Sequence, residues 1–366
     1  MFKGLLSSII LYGNRYVRKI LERSGMMFLL RMGTTGNSPS FPHLESFERC
    51  GTSTVRVLGL NPGPHTLQGT NTYLIGTGPE KILVDTGEHE TATKYVSFLL
   101  DTIFSETDTR SLCIILLTHR HHDHVGGVRC LLDELLKRGL SLPKVYIRHT
   151  EESVDAMKSE GLDTMNIIDG QVFVCEGATL KAIYSPGHCS DHVSFIVQED
   201  RALLCGDCIL GISNSLRQSI SDICTHHSLA HCCMEGCGSA VFDDLLLLMK
   251  SLQRINELFN DVDTSKRLNS LYPGHGPVLR NDSAVAKIEE YVRHRNLREH
   301  QILELLEERG TFLSSWEIVQ TLYPVQQYSL VLRIAAQVNI THHLVKLHCE
   351  DRVIKTWPDQ WAMKSD

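Results

Sequence analysis

A histidine-rich loop carries the clearest chemical signal in the chain. It follows the apolar run 113–117, which is typical of a buried strand, and it precedes two glycines at 126–127. Five potential metal ligands fall within six residues of this loop: His119, His121, His122, Asp123 and His124. Neutral imidazole suits zinc, and a carboxylate among the histidines adds a harder, charged ligand. The loop therefore predicts a centre for two metal ions, in preference to a solvated His-rich surface loop.

The spacing of these residues indicates which of them can share an ion. In extended chain leaving a strand, His119 and His121 point the same way because successive side chains alternate. Asp123 and His124 come where the chain should turn towards a helix, so they can face a different position. His122 is out of step with both pairs.

Three later strand ends supply further ligands. His188 and His275 each follow a Pro-Gly turn behind a strand pattern, and Asp207 ends the pattern 201–205. One Pro-Gly-His segment is weak evidence, but two of them together with Gly-Asp and the opening loop form a specific constellation. We therefore predict that four loops bring seven metal ligands to one rim: His119, His121, Asp123, His124, His188, Asp207 and His275.

Two further residues are predicted to support these ligands. Asp85 ends the strand pattern 81–84 and could bind metal directly or hold a ligand by a hydrogen bond. We favour the hydrogen bond, because a ligating histidine normally donates its other ring N–H to a carboxylate of this kind. We assign the same supporting role to His192.

Composition and charge limit the classes of protein. The 366 residues suffice for one large core and a small appended domain, and 42% hydrophobic with 22% charged residues is ordinary for a globular chain. The formal net charge of -7 gives no general attraction for nucleic acid, so a polyanion would meet a local basic patch or the metals. The 12 cysteines lack regular spacing, and we interpret them as reduced thiols. No apolar run could span a bilayer, so we expect no membrane partner.

Residues 1–54 are predicted to be a leader and a linker. Up to about residue 40 there are six Lys or Arg residues against one acid, Glu22, and apolar residues between Leu6 and Leu21 recur at helical spacing. A basic, amphipathic, acid-poor leader is typical of a mitochondrial transit peptide, which predicts the mitochondrial matrix. The alternative is a fortuitous extension.

Residues 295–366 are predicted to form a winged-helix-like module. Helix patterns at 297–308, 314–322 and 328–348 precede strand patterns at 352–357 and 360–362. This order is typical of a fold often used against nucleic acid. Basic residues are expected along the third helix and wing: His342, His343, Lys346, His348 and Arg352. The alternative is a module that only caps the main domain.

The motif His119-x-His121-x-Asp123-His124, followed in order by His188, Asp207 and His275, resembles the metallo-β-lactamase superfamily. Segments 61–74, 206–211, 272–278 and 294–299 extend the resemblance towards a mitochondrial endoribonuclease branch of that family. It covers roughly residues 55–360.

The resemblance implies an α/β fold, an αββα sandwich over 55–294 with the metals at one edge of two sheets. It implies two Zn²⁺ ions per chain, one held by His119, His121 and His188, the other by Asp123, His124 and His275, with Asp207 bridging. The chain departs from the family at four positions that bind no metal: Arg120, His122, Cys189 and Cys205. None of these departures removes a predicted ligand, so they put substrate preference in doubt rather than metal binding.

The resemblance also implies a function, the cleavage of single-stranded RNA by a monomer or homodimer. A zinc pair can lower the pKa of water so that hydroxide exists near neutral pH. Asp123 would orient the attacking water as well as bind metal. The same ligands serve glyoxalase II-like thioesterases, which are the alternative, although those enzymes would carry a glutathione-reading helical region in place of a winged helix.

Residues 212–236 are an insertion relative to the family. The segment is rich in Ser, Cys and His without a convincing period, and such a stretch is uncommon inside a compact domain. We interpret it as a lid over the site or as retained non-coding sequence. The alternative is an irregular zinc knuckle, with ligands from Cys224, His226, His231, Cys232 and Cys237.

Deleting residues 212–236 is expected to raise the yield of soluble, active protein, because the segment contributes no regular pattern that could pack. The measurement is the soluble yield and the specific hydrolytic activity of the deletion variant beside the native chain. Unchanged or lost activity would contradict this interpretation.

Overall fold

The computed structural model describes residues 43–63, 66–211, 242–326, 328 and 330–364. The basic leader predicted up to about residue 40 and the insertion at 212–236, with its possible zinc knuckle, lie outside these residues. Residues 43–54 of the predicted linker are described, and they contain the strand Phe47–Arg49. The described part forms two compact units, one holding both large sheets and ending at Tyr291, the other beginning at Val292. None of its helices combines the length and the apolarity needed to cross a bilayer.

The first sheet has seven strands in chain order. They are β1 (Phe47–Arg49), β2 (Thr54–Leu58), β3 (Asn71–Ile75), β4 (Glu80–Val84), β5 (Ser111–Leu116), β6 (Lys144–Ile147) and β7 (Met165–Asn166). Strands β1 to β4 form an antiparallel meander, and β4 to β7 run parallel. Because parallel strands end at the same edge, the segments after β4 and β5 open on one rim.

Helices connect the parallel strands. A continuous helical stretch, α1, comprises His89–Thr91, Ala92–Ser97, Phe98–Ile103 and Phe104–Glu106. The other connections contain α2 (His122–Val125), α3 (Val128–Lys137) and α4 (Glu151–Ser159). Thr150 caps α4 by accepting a hydrogen bond from the backbone N–H of Ser153.

The second sheet has six strands in the order β13-β12-β11-β10-β9-β8. They are β8 (Val172–Cys175), β9 (Ala178–Tyr184), β10 (Val193–Val197), β11 (Ala202–Gly206), β12 (Ser270–Pro273) and β13 (Leu279–Arg280), and α5 (Leu245–Phe259) lies between β11 and β12 in sequence. Among these described strands, β11 and β12 pair in parallel and the other neighbours are antiparallel. Strands β11 and β12 therefore end side by side, just before Asp207 and His275.

Alternating side chains build two apolar layers. In β3, Leu74 packs in the core that includes α1 and α3, whereas Tyr73 and Ile75 pack in the core shared by both sheets. This alternation follows from the period of two in a strand that is buried on both faces. The rings of Tyr73 and Tyr272 stack across the sandwich with centroids 5.7 Å apart. The predicted sandwich of two sheets with helices outside is confirmed.

The second unit begins within one long helix. Helix α6 runs without interruption over Asp282–Arg309, so the boundary predicted at 294/295 falls inside it. The segment contains neither glycine nor proline that would stop a helix there. Helices α7 (Ser315–Leu322) and α8 (Leu330–Cys349) and the hairpin β14 (Val353–Thr356) and β15 (Gln360–Met363) follow, as expected for a winged helix.

The basic face predicted along the third helix is not a free surface. His343 and Lys346 are buried, because they lie on the same face of α8 as the apolar residues Ile340, Leu344 and Leu347. The Lys346 ammonium binds two carboxylates, that of Glu299 on α6 at 2.9 Å and that of Glu350, directly after α8, at 2.8 Å. Of the predicted set, His348 and Arg352 are exposed.

Arginines on α6 are also directed into the second unit. The side chains of Arg295 and Arg298 are buried. Arg295 donates to the side-chain oxygen of Asn339 at 3.3 Å, and the Arg298 guanidinium lies 4.9 Å from the ring centre of Tyr323. These cations contribute to packing inside the unit.

Acidification is expected to destabilise the second unit through His343. Burial lowers the pKa of His343 to about 4, although Glu299 opposes the shift. An unfolded histidine titrates near about 6.5, so the unfolded chain binds the extra proton first and stability falls as the pH drops from about 6.5 to 4. The loss saturates at roughly 3 kcal/mol below pH 4.

The measurement is hydrogen exchange of α8 amides in the full chain at pH 7, 6 and 5. The variant His343→Gln removes this titration and should show a shallower dependence of opening free energy on pH. His300→Gln, which changes an exposed histidine, is the matched control. Equal pH dependence in native protein and His343→Gln would contradict the assignment.

Candidate metal centre

The histidine-rich loop connects the end of β5 to the short helix α2. His119 is fully buried, and His121 precedes α2 in an extended conformation with φ -64° and ψ 144°. The two imidazoles consequently face the same side, and His119 Nε2 lies 2.9 Å from His121 Nδ1. His122 begins α2 and is exposed, so it stays apart from both groups, as its spacing indicated.

His188 reaches the same place from the loop after β9. Its Nε2 lies 3.0 Å from His121 Nδ1, which completes a three-histidine group of His119, His121 and His188. The loop needs Gly187, whose φ is +134° and where an added Cβ would lie 2.3 Å from the backbone of Leu248. Helix α5 therefore packs directly against the chain that carries His188.

Hydrogen bonding fixes the tautomer of His119. The Thr118 hydroxyl donates to Asp85 Oδ2 at 2.9 Å, so its oxygen can only accept from His119 Nδ1, 3.0 Å away. The unprotonated Nε2 then faces His121. Burial is the main cause that lowers the pKa of His119 well below its usual range, so this nitrogen keeps its lone pair free for a cation.

Asp123, His124 and His275 form a second group, the mixed group. His275 Nε2 lies 3.1 Å from Asp123 Oδ2 and 3.3 Å from His124 Nε2. The opposite ring nitrogens are engaged elsewhere, because His124 Nδ1 donates to Asp85 at 2.8 Å and His275 Nδ1 to the carbonyl of Gly69 at 3.4 Å. Both Nε2 atoms therefore point to the carboxylates.

Asp207 contacts both groups. Its Oδ1 lies 3.3 Å from His124 Nε2 and 3.4 Å from His275 Nε2, while its Oδ2 lies 3.7 Å from His188 Nε2. Gly274 makes room for it, since a Cβ there would lie 2.4 Å from Asp207 Oδ1. A single carboxylate thus stands between the two groups.

The mixed group attracts positive charge. Burial by itself lowers the pKa of His275, but the carboxylates of Asp207 and Asp123 outweigh it and raise the pKa to about 10. Conversely, His275 and His124 hold the pKa of Asp207 well below its usual range despite its burial. The buried carboxylate of Asp207 and the partly buried one of Asp123 require such positive charge, and a divalent ion can supply it in place of protons.

Asp85 and His192 take positions beside the donors. Asp85 accepts from the backbone N–H and hydroxyl of Thr118 and from His124, so it orients one imidazole in each group. His192 Nε2 accepts from the backbone N–H of Asp207 at 3.1 Å, and its Nδ1 bonds the Ser185 hydroxyl at 2.9 Å. With both nitrogens engaged, His192 positions the Asp207 loop.

Each of the nine site residues predicted from sequence lies in this cluster. The donor atoms fall into sets within 4.8 Å of one another, and one set adds Cys189 to the three histidines. Sequence reasoning missed Thr118, which links Asp85 to His119, and Asn71, whose amide donates to the carbonyls of Pro273 and Gly276 and so holds the His275 loop. Position at a strand end was the only available signal for either.

The nitrogen-rich, carboxylate-containing donor set fits a metal centre better than acid–base catalysis alone. Five imidazoles and two carboxylates converge, and imidazole favours zinc and other transition metals over magnesium or calcium. Such a centre can polarise a carbonyl or phosphoryl oxygen and activate water.

Replacing Asp85 by Asn is expected to weaken metal binding by about 10- to 100-fold, the usual effect of losing such a hydrogen-bonding partner. An amide has a single acceptor oxygen and would turn its NH₂ towards a donor of Thr118 or His124. The measurement is zinc competition with a chromophoric chelator. Asp133→Asn, on the exposed face of α3, is the control. Native affinity in Asp85→Asn would show that this carboxylate does not orient the ligands.

Two different family models match the two units of the chain. A model of the metallo-beta-lactamase superfamily matches residues 65–219, and a model of the beta-lactamase associated winged helix domain matches 314–361. A beta-lactamase domain protein from Burkholderia ambifaria has a TM-score of 0.60 at 16% identity, covering 90% of this chain and 96% of that one. A metallo-beta-lactamase family protein from Thermus thermophilus has a TM-score of 0.55 at 20% identity, covering 85% and 99%. At such identities these structures show the fold alone.

Curated relatives share more of the sequence. A beta-lactamase-like protein 2 homolog from Caenorhabditis elegans is 38% identical over 318 residues, covering 87% of this chain and 91% of the relative. The homolog from Drosophila melanogaster is 34% identical over 306 residues, covering 83% and 91%. An atrochrysone carboxyl ACP thioesterase from Cryptosporiopsis sp. (strain 8999) is 34% identical over 275 residues, covering 75% and 69%. Since this similarity spans most of both chains and the fold and donor cluster agree with it, the chain belongs to the metallo-beta-lactamase superfamily.

Proposed function

We propose that this chain is a two-zinc hydrolase that cleaves single-stranded RNA. The observation that carries the two-ion proposal is the position of Asp207, whose two oxygens face different donor groups. A carboxylate in that position can hold two ions close together, as two-metal hydrolases require. The three-histidine group would hold one ion, and the mixed group would hold the other.

The bound zinc pair would supply a water of lowered pKa and polarisation of the phosphate oxygen. The chain's own residues then have separate tasks. Asp123 has the most exposed of the site's carboxylates, with 20% of its side chain accessible against 10% for Asp207. It can therefore orient a water that enters from solvent. Asp85 and His192 keep the buried donors in fixed orientations.

Two features support RNA as the substrate. The sequence resembles a mitochondrial endoribonuclease branch of the family, and the second unit matches a winged helix, a fold that commonly binds nucleic acid. The net charge is acidic, and several cations of α6 and α8 are buried. We therefore expect the metal ions to bind the phosphate of the substrate. Location in the mitochondrial matrix and a monomeric or homodimeric state belong to the same proposal.

A thioesterase is the second candidate function. It is favoured by the 34% identity to a relative named as an ACP thioesterase, since the same donor set can polarise a thioester carbonyl. The two candidates share the metal centre and differ in substrate.

Native protein loaded with zinc is expected to cleave an end-labelled single-stranded RNA and to leave S-lactoylglutathione intact. Cleavage should disappear after chelation and return with zinc. Asp207→Asn should fall below about 1% of the native rate, because a lost ligand costs more than the 10- to 100-fold typical of a supporting residue. The measurement is product length and rate on denaturing gels, with free thiol followed in parallel.

Asp101→Asn, an identical substitution at an exposed position on α1, is the matched control and should cleave like the native protein. Thioester hydrolysis without RNA cleavage would select the second candidate. Full RNA cleavage by metal-free protein would refute the mechanism for both.

A further inference from the structure

We propose that the ion pair between Arg120 and Asp191 holds together the two loops that contribute the three-histidine group. This role of the pair is called a tie below. The proposal rests on the proposed function, because it assigns these residues to one of two metal sites. Arg120 stands between His119 and His121 in the histidine-rich loop, and Asp191 comes three residues after His188. The pair therefore joins the two loops that contribute the three histidines.

The contacts of Arg120 reach both sides of the His188 loop. Its guanidinium forms an ion pair with Asp191, lies 3.5 Å from the hydroxyl of Ser190 and lies 3.4 Å from Asp243 Oδ2. The backbone N–H of Asp243 in turn donates to the carbonyls of Gly187 and His188, at 2.9 and 3.1 Å. One planar group thus holds the histidine-rich loop, the His188 loop and the segment before α5. Such a fork can satisfy several acceptors at once, which an ammonium cannot do with the same geometry.

Burial strengthens the attraction between Arg120 and Asp191. Asp191 is fully buried and the Arg120 side chain is 13% exposed, so water screens their attraction weakly. In the described part of the chain, Asp191 Oδ2 is buried without a hydrogen-bond partner. The guanidinium of Arg120 supplies positive charge to this carboxylate, and the Cys189 side chain also forms a hydrogen bond with it. Removing either partner leaves an unbalanced buried charge, which would push the two loops apart or admit water.

The pair could instead act only through its charge or only by stabilising the fold. The metal affinities of the two sites distinguish these roles from a tie. If the pair acted only through charge, Arg120→Met would leave an extra anion near the cation and tighten metal binding, whereas Asp191→Asn would loosen it. If the pair only stabilised the fold, both metal sites would weaken together. A tie predicts that both substitutions weaken the three-histidine site and spare the mixed group.

The experiment is a Co²⁺ titration of the metal-free full chain, followed by visible absorption and by zinc competition. His188→Ala identifies the spectrum that belongs to the three-histidine site. Arg120→Met and Asp191→Asn should each lower the Co²⁺ affinity of that site by about tenfold or more, the range found for supporting partners of metal ligands. The double variant should lose no more than either single variant, because both remove the same interaction. Arg120→Lys, which keeps the charge without the fork, should fall between native and Arg120→Met.

Arg138→Met is the matched control, since Arg138 also bridges two carboxylates but lies away from the site on an exposed surface. Its metal affinities should equal the native values. Should Arg120→Met fail to fold, Asp243→Asn weakens the half-exposed partner and should give a smaller loss at the same site. Opposite shifts in Arg120→Met and Asp191→Asn, equal losses at both sites, or native affinity in both variants would overturn the tie. A native chain that binds no metal would instead refute the proposed function.

Discussion

The position of Asp207 between two groups of imidazoles is the constraint on which the rest of the structure depends. Its carboxylate lies within 3.7 Å of His124, His188 and His275, which come from three separate segments. Buried charge of this kind is stable only when opposite charge and donors surround it. The sandwich meets this requirement by ending β5, β9, β11 and β12 at one rim. The centre can therefore form only once both sheets have packed together.

A layer of hydrogen bonds surrounds the ligands. Four side chains form hydrogen bonds to a ligand or to the loop that carries one: Asp85, Thr118, His192 and Asn71. Leaving a single buried polar group of this kind unpaired costs about 1–3 kcal/mol. Asp85 adopts a positive φ of 60° to do so, a conformation that Asp tolerates better than most residues. The backbone of Asp85 is thus strained, and this conformation lets its carboxylate hold the ligands in fixed orientations.

The second unit uses its polar residues differently. His343 and Lys346, which are buried on α8, both contact the carboxylate of Glu299 on α6. Trp361 is fully buried in the apolar core of the unit, and its indole N–H donates to Asp359 at 2.6 Å. Of the residues predicted to form a nucleic-acid surface, His343 and Lys346 therefore serve internal packing, whereas His348 and Arg352 are exposed. The proposal of an RNA substrate therefore rests on the winged-helix match of this unit and not on the buried cations His343 and Lys346.

The sequence alone determined a great deal about this protein. The strand-end positions of His188, Asp207 and His275, together with the histidine-rich loop, were enough to predict a donor cluster on one rim. The αββα sandwich was predicted from the resemblance to a known family. Only the tertiary structure decided which cations are free and which are buried, because α8 turns His343 and Lys346 towards its apolar face. It also decided that Arg120 meets Asp191, 71 positions further along the chain. The periodicity of each helix or strand can be read from its own segment of the sequence. Contacts between distant loops depend on how the sheets pack together, and no single segment determines that packing.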